Sequence, residues 1–162
     1  MVYTVNDALR SITLYDQTNA MKYQMIKQKL NPNHLVMMDD HNHRECELIC
    51  DTPHVLIKID HNIYSAEFQY IPQQQRFTTV SLIRPPMVEH IVVNLPQGTL
   101  RIEQSSKRDF LIQINDTTIG KCNDIMAHHK HFRINEEYDP TMVCIIVGLC
   151  LFMLHDDDIE IV

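Results

Sequence analysis

Thirteen consecutive apolar residues, Met142 to Leu154, follow Asp139-Pro140-Thr141, and they constrain what the chain can become more than any other stretch. Asp139 is placed to cap the free backbone N–H groups of a first helical turn. Pro140 suits the first helical position, where its missing N–H removes nothing. A surface helix keeps one polar face, and Met142-Val143-Cys144-Ile145-Ile146-Val147-Gly148-Leu149-Cys150-Leu151-Phe152-Met153-Leu154 has none, so it needs apolar partners all round. A bilayer core asks for roughly 20 apolar residues. The run falls short of that, and the acidic flank Asp156-Asp157-Asp158 is a poor membrane anchor. The expectation is a buried helix over about 140–155, not a transmembrane one.

The apolar partners are legible upstream. From Met21 onward, short segments rich in β-branched and aromatic residues end at turn formers: Tyr23–Leu30 at Asn31-Pro32-Asn33, Leu35–Met38 at Asp39-Asp40, Glu45–Cys50 at Asp51-Thr52-Pro53, Val55–Ile59 at Asp60-His61-Asn62. Ile63–Ile71, Phe77–Ile83, Val88–Asn94, Thr99–Glu103, Phe110–Ile114, Thr117–Cys122 and His129–Ile134 follow, with Ile125–Ala127 as a shorter candidate. Ala66, Phe68 and Tyr70 alternate with Ser65, Glu67 and Gln69, and Leu100 and Ile102 with Thr99, Arg101 and Glu103, so each strand buries one face. About twelve strands in an open sheet would leave long edges, which closure removes, and a barrel that wide has a lumen to fill. The predicted fold is mainly β: a closed antiparallel β-barrel of about twelve strands over residues 21–162, around the hydrophobic C-terminal α-helix. Residues 1–20 are read as an N-terminal extension. Asn6 or Asp7 could cap a short helix through Ala8, Leu9 and Ile12, whereas Ile12-Thr13-Leu14-Tyr15 suits a strand, and both readings stay open.

A chain of 162 residues, 44% of them hydrophobic, fits one domain that buries roughly two thirds of its unfolded surface. The net charge of -7 argues against nucleic acid as a partner and against general affinity for anionic membrane, leaving room only for local basic patches. Cys46, Cys50, Cys122, Cys144 and Cys150 are odd in number and lack C-x-x-C spacing, which fits free thiols in a reducing compartment. The opening Met1-Val2-Tyr3-Thr4-Val5-Asn6-Asp7 turns polar at once, so no secretory leader is expected and the cytoplasm is the expected location.

Of the ten histidines, His41 and His43 flank one residue after Asp39-Asp40, and His129 and His131 would share a strand face, a spacing that can hold a divalent metal. A third ligand is not evident, and histidines in turns and on wet strand faces are ordinary, so no metal or other cofactor is expected. No G-x-S-x-G, Gly-rich phosphate loop or H-E-x-x-H occurs, and Glu136-Glu137 and Asp156-Asp157-Asp158 read as solvated charge, so an enzyme is not expected. Lys107-Arg108 at a turn and Arg84 before Pro85-Pro86 are the candidate contacts to phosphate headgroups, against the plainer reading of solvated turns.

The layout resembles the tubby-like superfamily, in particular the bacterial branch of the LURP-one-related family, kin to tubby C-terminal domains and phospholipid scramblases. Met21-Lys22-Tyr23-Gln24-Met25-Ile26-Lys27-Gln28-Lys29-Leu30 as a first strand, Leu35-Val36-Met37-Met38-Asp39-Asp40 as a second, and Tyr138-Asp139-Pro140 opening the closing helix carry the resemblance, over roughly 21–156. It implies a twelve-stranded barrel around a hydrophobic helix. The turns depart from the family, with His41-Asn42 and Asp60-His61-Asn62 where glycine is frequent; Asn and Asp tolerate the left-handed backbone such turns need. Tubby domains bind phosphoinositides through basic residues, none of which aligns here position by position. The resemblance therefore implies a non-catalytic binding or scaffold domain, contacting membrane lipid headgroups or a protein partner and peripheral at the membrane. A histidine-based metal-dependent module or enzyme is the alternative.

Overall fold

The alternating segments pair into thirteen antiparallel strands: β1 (Val2–Asp7), β2 (Ser11–Tyr15), β3 (Met21–Lys27), β4 (His34–Met38), β5 (Arg44–Asp51), β6 (His54–Ile59), β7 (Asn62–Glu67), β8 (Gln69–Tyr70), β9 (Val88–Leu95), β10 (Gly98–Gln104), β11 (Phe110–Ile114), β12 (Thr117–Asn123) and β13 (Lys130–Ile134), followed by the helix α1 (Pro140–Asp157). The structure, a computed structural model, describes residues 1–38, 41, 43–70, 88–105, 109–123, 130–135 and 138–157. The expected strands Phe77–Ile83 and Ile125–Ala127 lie outside the described residues.

The sheet runs β7-β6-β5-β4-β3-β2-β1-β13-β12-β11-β10-β9-β8, and its ends curl together into a nearly closed barrel. At the seam, Cα atoms of β7 come within 8 Å of β9. Residues 1–20 are not a separate extension: β1 and β2 lie in the middle of the sheet order, because Val2–Val5 pair with Arg133–Lys130 of β13. The expected strand Ile63–Ile71 is broken at Phe68, which turns inward and donates its N–H to Pro53 O at 2.9 Å. The strand expected over Tyr23–Leu30 stops at Lys27 and gives way to a tight turn, Gln28–Leu30.

The helix begins as its sequence predicts, with the Met142 N–H donating to Asp139 Oδ1 at 2.8 Å. It runs up the lumen, and every residue from Met142 to Leu154 is buried. Inward-facing Val5, Leu14, Met25, Leu48, Ile57 and Leu100, each at most 1% exposed, surround it. No described helix is long and apolar enough to cross a membrane.

Strand direction sorts the connections between two ends. The lower end, where the helix enters, carries tight acidic turns with Asp16, Asp60, Asp116 and Asp139. Asn19, Asp60, Asn115 and Asp116 take positive φ there (62°, 54°, 49° and 66°), so Asn and Asp fill the left-handed positions as expected. The upper end holds Ala8-Leu9-Arg10 between β1 and β2, Gln28–Asn33 between β3 and β4, and Thr52-Pro53 between β5 and β6.

Candidate functional site

Two neighbouring turns at the upper end present apolar side chains to water. Leu9 is 72% exposed and Leu30 51% exposed, beside the exposed cations Arg10 and Lys29. The turns are tied together, since the Lys27 N–H donates to Arg10 O at 2.9 Å. Beneath them the buried Lys27 ammonium reaches Asp7 Oδ1 at 2.5 Å and Ala8 O at 2.6 Å. The second turn closes with the Asn31 N–H donating to Gln28 O at 2.9 Å, and it forces Lys29 and Leu30 to φ of 50° and 60°. Left-handed backbone costs a residue with a side chain roughly 1–2 kcal/mol, and Asn-Gly is the sequence such a turn favours. Lys29-Leu30 is thus held in a conformation that neither residue prefers, with both side chains exposed.

The cations read from sequence, Lys107, Arg108 and Arg84, lie outside the described residues. Among the described residues, β8 and β10 end, and β9 and β11 begin, at the upper end. Ser105 and Asp109 close the base of the β10–β11 connection, with the Ser105 N–H on Asp109 O at 2.9 Å and the Asp109 N–H on Ser105 Oγ at 3.2 Å.

The described histidines do not converge on one site. His41 and His43 stack obliquely in the lower turn after β4, ring centroids 6.4 Å apart. His131 sits on β13 with Nδ1 3.5 Å from Thr4 Oγ1, and His129 is outside the described residues. Among the described residues no group of three or more His, Cys, Asp and Glu is placed to hold a metal ion.

All five cysteines are buried thiols outside any disulfide. Burial, reinforced by Glu45 and Glu47, pushes the Cys46 thiol up to about 12. Burial likewise raises Cys144, beside Cys46, and Cys150, beside Cys122. The thiolate is the reactive form, so the native protein should show no labelling by an aromatic disulfide reagent at pH 8 and five labelled thiols once unfolded. Rapid labelling of even one native thiol would show that the barrel opens or that a cysteine is misplaced.

The outer wall carries charge and one cleft. His34 Nε2 meets Glu47 Oε1 across β4 and β5, and Arg44 Nη1 approaches the same oxygen at 3.4 Å. Burial alone would raise the Glu47 carboxyl, but the His34 hydrogen bond and the charges of His34, Lys58 and Arg44 hold it below its ordinary value. Above this group, a cleft of about 490 Å³ opens among Ile49, Asp51, His54, Leu56, Ser65 and Glu67. A second hollow, of about 360 Å³, lies among Thr4, Asn6, Tyr15 and Asn19. Inside the wall, both amide atoms of Gln104 are buried without a partner at the top of β10. Residue adjacency gave the sequence reading neither the exposed leucines nor the cleft, which exist only through turn geometry and register. Compared with known proteins, the chain matches no family model, no curated protein and no solved structure.

Proposed function

We propose that the protein is a non-catalytic binding domain of the tubby-like type that meets the headgroup region of a membrane, peripherally and from the cytoplasm, with the upper end of its barrel. The observation supporting this is the pair of tied turns in which exposed Leu9 and Leu30 stand beside Arg10 and Lys29, one of them on strained backbone. Strain persists where the surrounding structure holds it, and it clusters at functional segments. A leucine moved from water into apolar surroundings gains about 1.5–3 kcal/mol, and each cation near an anionic bilayer adds about 1 kcal/mol. With a net charge of -7, and Asp51 and Glu67 at the same end, the attraction is local, weak and sensitive to salt.

Co-sedimentation with neutral and anionic vesicles at low and physiological salt tests the reading. Wild type should pellet with anionic vesicles at low salt and largely release at physiological salt. The Lys29→Asn, Leu30→Gly double variant should melt higher, by about 1–2 kcal/mol of relieved strain, while partitioning falls about tenfold or more. The Lys107→Ala, Arg108→Ala variant should weaken only the anionic arm. If neither vesicle type retains the wild-type protein at low salt, lipid contact is wrong and a protein partner at this end becomes the reading.

A further inference from the structure

The outer wall of β5, β6 and β7 carries a polar row above an apolar one, on residues other than those of the membrane reading. Register aligns Asp51 with His54 and His54 with Glu67, so the three form a row across adjacent strands just below the upper end. Two residues further down, Ile49, Leu56 and Ser65 form the next row on the same face. Together the rows line the cleft of about 490 Å³, within the range of roughly 300–1,000 Å³ that small-molecule sites occupy. Beyond the backbone ladder, the side chains of Asp51, His54 and Glu67 make no described hydrogen bond or ion pair, so the polar row has unused capacity. The cation nearest along the same face of β6 is Lys58, another row down, where it acts on Glu47 instead.

Charge and spacing select the ligand. Two carboxylates without a facing cation call for positive charge. The backbones of β5 and β7 stand about 9.6 Å apart across β6, and among the described residues no group of three His, Cys, Asp and Glu is placed to hold a metal ion. The second row starts about 6.6 Å along the strands and is apolar over Ile49 and Leu56, the latter 36% exposed. A bare inorganic cation leaves that row unused. We propose that this cleft binds a primary ammonium on an unbranched aliphatic stem, the ammonium between Asp51 and Glu67 beside His54 and the stem lying over Leu56 and Ile49. The chemistry is that of a free alkylamine or of a lysine side chain on another protein.

Titrating full-length protein with n-butylammonium, while following the His54 ring and the Ile49 and Leu56 methyl groups by NMR, tests it. Saturable shifts confined to the cleft are expected with the amine, and none with n-butanol or butyrate. Because exposed ion pairs are individually weak, Asp51→Asn or Glu67→Gln should each weaken binding about two- to fivefold and the pair about tenfold. Leu56→Ser should weaken it by removing the stem contact, and Glu45→Gln, elsewhere on β5, should leave it unchanged. Nα-acetyl-lysine amide binding at least as well as n-butylammonium points to a partner's lysine, and weaker binding points to a free amine. Butanol binding as well as the amine, unshifted cleft resonances, or a folded Asp51→Asn, Glu67→Gln variant with wild-type affinity would each overturn the proposal. Any of these results leaves the vesicle experiment, at different residues, unaffected.

Discussion

Replacing Ile146 or Leu149 with Asp should leave the chain unfolded. Both side chains are 0% exposed, at the middle of a helix with barrel on every side, so neither carboxylate can reach water or a cation without opening the wall. A buried ion left unpaired costs several kcal/mol even after relaxation, and the lost aliphatic contacts add roughly 2–5 kcal/mol. Against a total stability of about 5–15 kcal/mol for a domain, the sum exhausts what holds the fold. Circular dichroism and thermal melting should show no cooperative transition in either variant, whereas Ile146→Val should melt normally after a loss of about 0.5–1.5 kcal/mol. A soluble Ile146→Asp, Leu149→Asp double variant that still melts cooperatively would mean the helix is not the core of the barrel.

The second large effect is expected where helix and wall touch. A Cβ on Gly148 would clash with Leu48 Cδ1 and sit 3.3 Å from Leu35 Cδ1, so the helix approaches β4 and β5 closely enough to require a bare backbone. Glycine inside a helix costs about 1 kcal/mol relative to alanine, which makes its presence in this otherwise bulky run a packing requirement. Gly148→Leu should therefore destabilise by about 3 kcal/mol or more, since the extra carbons have no room, and Leu48→Ala should cost about 2–5 kcal/mol by leaving a cavity. Combined, the two changes exchange volume across the contact, and denaturant unfolding should show the double variant more stable than the sum of the singles by at least about 1 kcal/mol. Additive losses would place the two residues out of contact.

The helix was readable because its signals are local: the Asp139 cap, Pro140 after it, and an apolar run with no wet face. The turns were readable for the same reason, as Asp60 and Asn115-Asp116 show with their left-handed backbone. β1 was not, because what makes it a strand is β13: Val2 pairs with Arg133, a partner no neighbouring residue announces. The Lys29-Leu30 turn was hidden for the opposite reason, since its residues argue against the backbone they adopt. Adjacency also misled in the search for a site. His41 and His43 are close in sequence, yet no group of three metal-binding side chains is placed to hold an ion among the described residues, while Glu67 comes beside His54 only through the register of β6 and β7. Arg84, Lys107 and Arg108 stay expectations to be tested by binding.

The order of elements also bears on how the protein is made. The first and last strands, β1 and β13, pair in the middle of the sheet, tied further by the Met1 ammonium donating to Ile134 O at 2.7 Å, and the element that fills the lumen comes after both. A ribosome therefore releases every inward-facing strand before it releases the helix those strands need, and β1, paired at once with β2, meets its second partner β13 only late in synthesis. Pairing across such distances is slow because loop-closure entropy comes before the contacts that offset it. The nascent barrel thus passes through an interval with its apolar lining uncovered, when exposed strands are prone to aggregate.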